Sequence, residues 1–545
     1  MKTKKTKMLA MTLVSCLLVC MGVMFSSFAS QETKEETQEE EPDYDLAALA
    51  EALEKYDDVW PFSEGLARVA VGEKDKYGFI INGKLGFINM KGEEVIPLKY
   101  DFIDYFSEGL AVVRIGDEET GKWGFINTNG EEVVPLKYDD VGWFSEGMAT
   151  VRIGDDKTGK WGFINKEGEQ VIPCKYDYVF PFIEGLAKVF VGKKDEDGVF
   201  EGRFVGNGKY GFINTKGEEV VPCKYSEVWD FSEGLVRVGV GEQDEHGDLI
   251  NGKWGFFNTR GEQVIPCKYD WVGDFSEGMA AVEDWKSDWK QGFINTRGEL
   301  VIPCKYDYVK EFSEGMAAVR IGDDETGKYG FINTKGEQVI PLKYDEVWSF
   351  SEGLAIVAVG EKEYGDLING MWGLINKMGE EVIPCKYDEV WDFSEGLAKV
   401  VVGDDKLIDG KYGFINTKGE EVVPCKYDDA EDFSEGLAIV AVGEKDEYGY
   451  LRNGKWGFIN MKGEEVVPCK YDEVGGFSEG LAKVKVDGKW GFINMKGEEV
   501  IPLKYDRIGD FSGGLALVNI GDKYGYVDKE GNDTFSVSRE AKEKE

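Results

Sequence analysis

Histidine is almost missing from this sequence, since His246 is the only one in 545 residues. Histidine is the most frequent general base near neutral pH and a common metal ligand. Nothing in the loop around His246 identifies it as a base, and neither a phosphate-binding loop nor a nucleophile elbow occurs. The sequence therefore predicts no catalytic residue, no cofactor and no metal site, and it favours a protein that is not an enzyme.

Positive charge is also scarce, because 64 Lys and Arg stand against 104 Asp and Glu, a net charge of −40. Binding to nucleic acid phosphates or to an anionic membrane surface needs clustered Lys and Arg. We therefore expect no nucleic acid partner, and contact with a membrane only through the N-terminal segment. The acidic balance fits solubility, association with cations or a basic partner.

Disulfide bonds are not expected, although an exported chain with nine cysteines would usually contain them. Cys16 and Cys20 lie in the N-terminal apolar segment, and the other seven all follow the proline at one repeated position. Leucine takes that position in four repeats, so the site requires only a modest apolar side chain, and we predict buried free thiols. The seven are Cys174, Cys223, Cys267, Cys304, Cys385, Cys425 and Cys469.

A long hydrophobic run occurs only once, from about Met8 to Phe28, after four lysines. Together with the small residues around Ala29 it predicts a signal peptide over residues 1–29. Two alternatives remain: a lipoprotein attached through Cys16, or an uncleaved signal anchor. Each of the three predicts an extracellular or cell-surface location.

Composition divides the rest of the chain into four segments. Residues 30–44 predict a disordered acidic linker, and residues 45–55 a short capping helix that begins at the N-capping Asp45. Residues 56–537 form a repeat array, and residues 538–545 a charged tail.

The array contains twelve copies of one unit, marked by a phenylalanine that recurs every 34 to 49 residues. Such a period is typical of stacked arrays, in which each unit packs on its neighbours. A residue copied twelve times is architectural before it is chemical. The recurring residues are Phe62, Phe106, Phe144, Phe182, Phe231, Phe275, Phe312, Phe350, Phe393, Phe433, Phe477 and Phe511.

Apolar residues alternate with period two, as from Leu481 to Val486, which predicts half-buried strands. Turns at Asp487-Gly488 and at Gly497 then predict a three-stranded antiparallel meander with a short fourth strand. The fold class is all-β: twelve tandem, blade-like meanders that form an open or toroidal superhelix. Tandem β-propellers are the alternative. The partial units at the two ends complement each other, as in a ring whose last blade is shared between the termini.

Three segments recur together: Trp-Gly-Phe-Ile-Asn, then Gly-Glu with Pro-x-x-Tyr-Asp, then Phe-Ser-Glu-Gly-Leu-Ala. From about Tyr56 to Val537 the chain thereby resembles the WG-repeat (KWG-repeat) family of bacterial proteins. The resemblance implies a β-rich, often exported interaction array and supplies no catalytic residues. Leu85 and Gln291 at the Trp position, and Ile183 in place of Ser, depart from the pattern.

Few notable residues fall outside the repeated pattern. Trp60, Trp229, Trp348 and Trp391 each precede the recurring Phe by two residues, a position that is Gly142, Asp104 or Gly273 elsewhere. The segment with Trp285 and Trp289 breaks the repeat. These six are the candidate ligand contacts, and coverage of a sheet edge is the alternative interpretation of the first four.

From these features we predict an exported, non-enzymatic scaffold for protein interaction, at the cell surface or outside the cell. The alternative is binding of a cell-wall glycan through the exposed Trp series. An enzyme of unknown type is the third and least favoured interpretation.

Overall fold

The computed structural model describes residues 44–75, 80–192, 208–243, 249–284, 286, 288–403, 409–521 and 523–535. The predicted signal peptide, the linker up to residue 43, the tail, His246 and Trp285 lie outside them. Within the described part, helix α1 (Leu46–Leu53) is followed by 48 strands in twelve sheets of four.

The strands are numbered along the chain, and the sheets are numbered 1 to 12 in the same direction. Sheets 1 to 4 contain β1 (Asp58–Ser63), β2 (Leu66–Lys74), β3 (Ile80–Asn89), β4 (Glu94–Tyr100); β5 (Phe102–Ile103), β6 (Leu110–Ile115), β7 (Lys122–Asn127), β8 (Glu132–Tyr138); β9 (Asp140–Ser145), β10 (Met148–Ile153), β11 (Lys160–Asn165), β12 (Gln170–Tyr176); β13 (Tyr178–Val179), β14 (Leu186–Val191), β15 (Lys209–Asn214), β16 (Glu219–Tyr225).

Sheets 5 to 8 contain β17 (Glu227–Ser232), β18 (Leu235–Gln243), β19 (Leu249–Asn258), β20 (Gln263–Tyr269); β21 (Trp271–Ser276), β22 (Met279–Glu283), β23 (Gln291–Asn295), β24 (Leu300–Tyr306); β25 (Tyr308–Val309), β26 (Met316–Ile321), β27 (Lys328–Asn333), β28 (Gln338–Tyr344); β29 (Glu346–Val347), β30 (Leu354–Glu363), β31 (Asp366–Asn376), β32 (Glu381–Tyr387).

Sheets 9 to 12 contain β33 (Glu389–Ser394), β34 (Leu397–Val402), β35 (Lys411–Asn416), β36 (Glu421–Tyr427); β37 (Asp429–Ala430), β38 (Leu437–Lys445), β39 (Leu451–Asn460), β40 (Glu465–Tyr471); β41 (Glu473–Ser478), β42 (Leu481–Val486), β43 (Lys489–Asn494), β44 (Glu499–Tyr505); β45 (Arg507–Ile508), β46 (Leu515–Ile520), β47 (Lys523–Asp528), β48 (Asp533–Phe535).

Each sheet is an antiparallel meander of four consecutive strands, which confirms the all-β fold class and its twelve repeats. The prediction that the short strand after Tyr-Asp is the fourth strand of the same unit is wrong. The segment after Tyr-Asp forms the first strand of the following sheet, as in sheet 7, where Tyr308 pairs with Arg320 and Val309 with Val319. Sheets 1 and 12 each have four strands of their own, so the prediction of one blade shared between the termini is also wrong.

The repeated Asn and Gly shape the turn between the third and fourth strands. In sheet 7 the Asn333 side chain accepts hydrogen bonds from the backbone N–H groups of Lys335 at 3.0 Å and Glu337 at 3.1 Å. Gly336 completes the turn at a φ of +77°, where a residue without Cβ is unstrained. The fourth strand continues through its proline at the sheet edge, where a missing N–H costs no ladder hydrogen bond.

The hydrophobic core lies between consecutive sheets. Phe331 of sheet 7 packs edge to face on Phe350, the recurring Phe of sheet 8, with ring centroids 4.9 Å apart. Both rings are buried, together with Tyr344 of sheet 7 and Val357 of sheet 8. A four-stranded sheet of this size is marginal alone, so each repeat depends on the face of its neighbour.

The Ser-Glu-Gly turns also join neighbouring sheets. Ser145 Oγ donates to the carbonyl of Phe182 in the next sheet at 2.8 Å. The Glu146 carboxylate accepts the next turn's N–H groups, from Glu184 at 2.7 Å and Gly185 at 2.8 Å. Glu146 has a φ of +52°, which is unfavourable for a residue with a Cβ. These charge-assisted bonds account for a glutamate in that position.

In most of the sheets a Lys–Asp pair fastens the end opposite those turns. In the first instance Asp101 accepts a hydrogen bond from Lys84 Nζ at 2.7 Å and another from the Gly116 N–H at 2.9 Å. Partial burial acts to raise the pKa of Asp101, but the two donors outweigh it and hold the pKa below its ordinary value. Where Ser226 replaces the Asp, its hydroxyl accepts from Lys209 at 2.8 Å.

This pairing predicts a pH-dependent contribution to stability. A carboxyl with a lowered folded pKa stabilises the fold above its unfolded pKa of about 3.9, and the contribution is lost as the pH falls through the folded value. We expect Asp101→Asn to lower the free energy of unfolding by about 1 kcal/mol at pH 6, because the pair is partly screened by solvent. In urea unfolding, the difference from the wild type should shrink as the pH falls below about 3.9. A difference that stays constant as the pH is lowered further would contradict the assignment.

The described residues divide into two compact units, one from Trp391 to Cys469 and the other comprising the rest. In the smaller unit the core between consecutive sheets includes Phe414 and Phe433, with ring centroids 4.8 Å apart.

In the larger unit the first sheet packs on the last. The Phe62 and Tyr526 rings are 4.8 Å apart, and Tyr526 donates to the Trp60 carbonyl at 2.9 Å. Helix α1, capped by the Asp45 carboxylate, buries Leu49 against the same cluster. The outer faces of the first and last sheets therefore cover each other.

The seven cysteines of the array form no disulfide bond within the described residues, and all are half-buried. Burial raises the pKa of Cys469 to about 11, with Glu465 adding to the effect. Protonated thiols in this position are poor nucleophiles, which agrees with a packing role.

Candidate functional site

In the part of the chain that the structure describes, four sheets carry a hairpin that extends beyond the repeated unit. In sheet 8, β30 and β31 have 10 and 11 residues, where the corresponding strands of sheet 7 have 6 each. We call these extensions arms and number each by its sheet. Arms 1, 5, 8 and 10 are formed by β2–β3, β18–β19, β30–β31 and β38–β39.

A shared sequence explains why the strands continue. Each arm has Val-Gly-Glu followed by Lys or Gln on its second strand, and a Gly two residues before the Trp-Gly position on its third. In arm 8, Gly360 and Gly370 face each other at a bulge, and a Cβ on Gly360 would lie 2.6 Å from the Gly370 Cα. Two glycines therefore let the strands approach where the ladder shifts register.

The tips of arms 8 and 10 present tyrosines to solvent. Tyr364 and Gly365 form a two-residue turn with φ values of +55° and +88°, and Tyr364 is 90% exposed. In arm 10, Tyr448 is 72% and Tyr450 68% exposed. The Asp446 carboxylate accepts the N–H groups of both at 3.0 and 2.9 Å, which orders this loop. The tips of arms 1 and 5 lie outside the described residues.

Each arm has two different faces. In arm 8 the exposed face pairs Glu361 with Ile368. Arms 1 and 5 repeat this Glu–Ile pair, and arm 10 has Arg452 in the place of Ile. The other face pairs Lys362 with Leu367, whose side chain lies over the glycine bulge.

The lysine on this second face reaches the preceding sheet. The Lys362 side chain is only 2% exposed, and its Nζ lies 5.4 Å from the ring centroid of Tyr329 and 3.7 Å from Glu346. Burial, together with Glu346, raises the pKa of Tyr329 to about 12, so the ring stays neutral beside the ammonium group. A cation at this distance over an aromatic ring is attracted by its π face.

Arms 10 and 1 make the corresponding contact with a tyrosine ring, and arm 5 makes a different one. Lys445 Nζ lies 5.0 Å from the Tyr412 centroid and donates to the Gly410 carbonyl at 3.3 Å. Lys74 Nζ lies 5.3 Å from the Tyr524 centroid. In arm 5 the residue is Gln243, which donates to the Ser226 carbonyl at 3.0 Å.

Short acidic loops take the place of arms in several other sheets. Asp117 accepts hydrogen bonds from the Thr120 hydroxyl at 2.8 Å and from the Thr120 N–H at 2.7 Å. These bonds hold the pKa of Asp117 below its ordinary value. The loop carboxylates at Asp155 and Asp323 bond in the same way. Within the described ranges, no group of three or more His, Cys, Asp or Glu side chains is arranged to hold a metal ion.

The sequence-predicted Trp residues lie on four different sheets. Trp229 is 40% and Trp348 38% exposed, whereas Trp60 and Trp391 are half-buried. A cation covers one face of three of the rings: Arg68 at 4.4 Å on Trp60, Arg237 at 4.1 Å on Trp229 and Lys399 at 4.8 Å on Trp391. The Trp348 ring packs edge to face on Trp372 at 6.4 Å.

Trp289 is exposed in the short segment between β22 and β23. Its φ of +60° is unusual for an aromatic residue, as is that of the preceding Asp288 at +58°.

The sequence pattern within a single repeat does not predict the arms. The hairpins there vary in length, which predicts only loops. The signal that identifies them is a second repeat, Val-Gly-Glu with a downstream Gly-(Lys or Met), present in four units and not in the rest. It would be found by aligning the long hairpins with each other.

With respect to membranes, no helix in the described part of the chain is long and apolar enough to span a bilayer.

Solved structures that are similar to this chain share little sequence with it. The tricorn protease is 12% identical with a TM-score of 0.22, and the match covers 87% of this chain and 58% of the protease. The β-propeller domain of the Trilobed protease from Pyrococcus furiosus is 10% identical with a TM-score of 0.21, over 58% of this chain and 96% of that domain. AztD from Citrobacter koseri is 14% identical with a TM-score of 0.21, over 57% and 94%. The chain thus spans little more than half the length of the tricorn protease.

The sequence of the repeat is more informative. No curated protein matches the chain. The WG containing repeat matches it in twelve segments, residues 53–74, 86–118, 123–157, 161–194, 210–242, 254–284, 292–323, 329–362, 372–405, 412–445, 456–490 and 490–524. These segments cover most of the array, and each contains the first-to-second-strand hairpin of one sheet. The chain therefore belongs to the family of proteins built from the WG containing repeat.

Proposed function

We propose that this chain is an exported, non-enzymatic scaffold that binds a protein partner at the cell surface or outside the cell. The observation that carries the proposal is the exposure of Tyr364 at the tip of arm 8, at 90%. A ring in that position contributes nothing to the core, and tyrosine is enriched in protein interfaces because it offers a large contact area with few rotatable bonds.

The arms that present these tyrosines are anchored below their tips. An arm that is anchored on a neighbouring sheet loses little conformational entropy when a partner binds, and pre-organisation of this kind favours affinity. The tyrosines of arm 10, Tyr448 and Tyr450, are presented on a loop ordered by Asp446. Exposed aromatic tips on ordered supports are therefore the elements that we assign to partner contact.

The test is a pull-down with the full chain as bait and a variant with Tyr364→Ser, Tyr448→Ser and Tyr450→Ser. We expect the wild type to retain a defined protein with saturable binding, and the variant to bind it at least about tenfold more weakly, as for loss of interface hot spots. A matched control changes Lys335, Lys418 and Lys462, exposed residues in the opposite turns, to Ser. Equal loss in both variants, or none in the tip variant, would contradict the assignment.

Glycan binding is the second candidate, and the exposure of Trp229 and Trp348 favours it. An indole with an open face can stack on a sugar ring. This function predicts that the chain is retained on purified cell wall, and that Trp229→Ala, Trp348→Ala and Trp391→Ala together abolish retention. Retention that survives this variant would remove the glycan proposal.

A further inference from the structure

The aromatic residue at the Trp-Gly position is not the same in every sheet. Six sheets have Trp there and four have Tyr, while sheet 1 has Leu85 and sheet 6 has Gln291. The positions of these residues show a regularity that packing within one sheet does not explain. The tyrosines are Tyr210, Tyr329, Tyr412 and Tyr524, in sheets 4, 7, 9 and 12.

Each tyrosine lies in the sheet next to an arm. Sheets 4, 7 and 9 are followed by sheets 5, 8 and 10, which carry three of the arms, and sheet 12 contacts sheet 1, which carries the fourth. No sheet with Trp, Leu or Gln at this position is followed by an arm among the described strands. Within the described strands every sheet obeys the rule, including the pair that joins the last sheet to the first. Residues 193–207 of the sheet 4 hairpin and 404–408 of the sheet 9 hairpin lie outside them.

The contacts give the reason. Tyr329, Tyr412 and Tyr524 are the rings beneath Lys362, Lys445 and Lys74, at 5.4, 5.0 and 5.3 Å. The phenol ring is smaller than an indole and leaves room for the lysine stem beside it. Three of the indoles lie beside a cation from their own second strand: Arg114 at 5.0 Å on Trp123, Arg152 at 5.6 Å on Trp161 and Lys485 at 5.1 Å on Trp490. The Tyr329 ring lies near both Lys362 and Arg320 of its own second strand, the latter at 5.5 Å.

We propose that the four tyrosines at the Trp-Gly position are positioning residues, each of which seats the arm of the adjoining sheet. The choice between Trp and Tyr then determines which sheets can carry an arm. Arm 5 has Gln243 in the place of the lysine, and this side chain bonds to the Ser226 carbonyl. This inference rests on the proposed function, since the arms are the elements that we assign to partner contact.

Hydrogen exchange of the arm amides in the full chain, without any partner, tests the seat. We expect Tyr329→Trp to expel Lys362 and to raise exchange in residues 361–368 by about tenfold, while the strands of sheets 2 and 3 stay protected. Lys362→Ala should give the same local increase without adding bulk between the sheets. Tyr329→Phe, which keeps the ring, should leave the arm protected.

Two control variants match these changes. Glu361→Ala alters the exposed face of the same arm, and Trp123→Tyr makes the reverse exchange where sheet 3 has only a short loop. Neither should change exchange in arm 8. Unchanged protection of residues 361–368 in both Tyr329→Trp and Lys362→Ala would overturn the seat. Because no partner is present, that result would leave the binding proposal standing, and a seat that passes the test would equally survive a failed pull-down.

Discussion

Replacing Phe331 with Ala is expected to lower the stability of sheets 7 and 8 by about 3–5 kcal/mol. The ring is fully buried and packs on Phe350 at 4.9 Å, so its removal leaves a cavity between two sheets that depend on each other. In a repeat array each unit contacts only its neighbours, and the loss should therefore be local at first. Hydrogen exchange under mild denaturant should show protection falling in sheets 7 and 8 before sheets 2 and 3.

Tyr364→Ala is the matched control, because it removes a ring of nearly the same size that is 90% exposed. We expect a change below about 0.5 kcal/mol there, as for most surface substitutions. A uniform loss of protection over the whole array in Phe331→Ala would contradict nearest-neighbour stability. A loss below about 1 kcal/mol would contradict the assignment of the core to the space between sheets.

Gly330→Ala is expected to cost about 3 kcal/mol, for a steric reason alone. The φ of Gly330 lies outside the left-handed region, so alanine can adopt the backbone conformation. Its Cβ, however, would lie 2.5 Å from the Ile340 carbonyl oxygen and 2.8 Å from the Pro341 carbonyl carbon, both backbone atoms of the fourth strand. The Gly of Trp-Gly therefore admits the sheet's own fourth strand, and this explains the second letter of the repeat.

Gly315→Ala separates this effect from conformational strain. Gly315 has a φ of +81°, but no atom lies within 4 Å of the Cβ that alanine would add. We expect a cost of about 1 kcal/mol from the left-handed backbone alone. Thermal unfolding of the two variants gives the comparison. Equal costs, or a larger cost for Gly315→Ala, would show that the close approach of the fourth strand does not constrain the repeat.

The local parts of this fold could be predicted from sequence because short-range chemistry determines them. Period-two alternation identifies the strand Leu481–Val486, and the turn at Asp487-Gly488 has φ values of +50° and +79°, which suit a two-residue hairpin. The proline in the fourth strand likewise predicts an edge. These features depend on neighbours within a few residues along the chain.

The missed parts depend on contacts between sheets. Ser145 bonds to Phe182 and Glu146 to Gly185, partners 37 and 39 residues away, and no local pattern distinguishes such bonds from bonds within a turn. The first strand of each sheet was assigned to the wrong repeat for a similar reason. A two-residue strand such as Tyr308–Val309 is identified by its pairing and not by its own sequence.

The candidate site contains features that the sequence predicts and features that it does not. The Trp series was found because it departs from the repeat, and the structure places its members on separate sheets with cations on three of the rings. The arms are not predicted as one set because their lengths differ, although Val-Gly-Glu recurs in all four. A residue that varies between units is thus as informative about structure as one that repeats. The Tyr at the Trp-Gly position has no explanation within its own sheet, and the arm of the adjoining sheet supplies one.

We propose that the repeated residues form the scaffold of this protein and that the arm tips contact its partner. Site-specific photo-crosslinking tests it most directly, with a photoreactive phenylalanine analogue placed at Tyr364 in the full chain, and at Trp229 in a second sample. We expect position 364 to crosslink a discrete partner protein in the extracellular fraction, and position 229 not to do so. Crosslinking of the same protein from position 229 and none from position 364 would contradict this proposal.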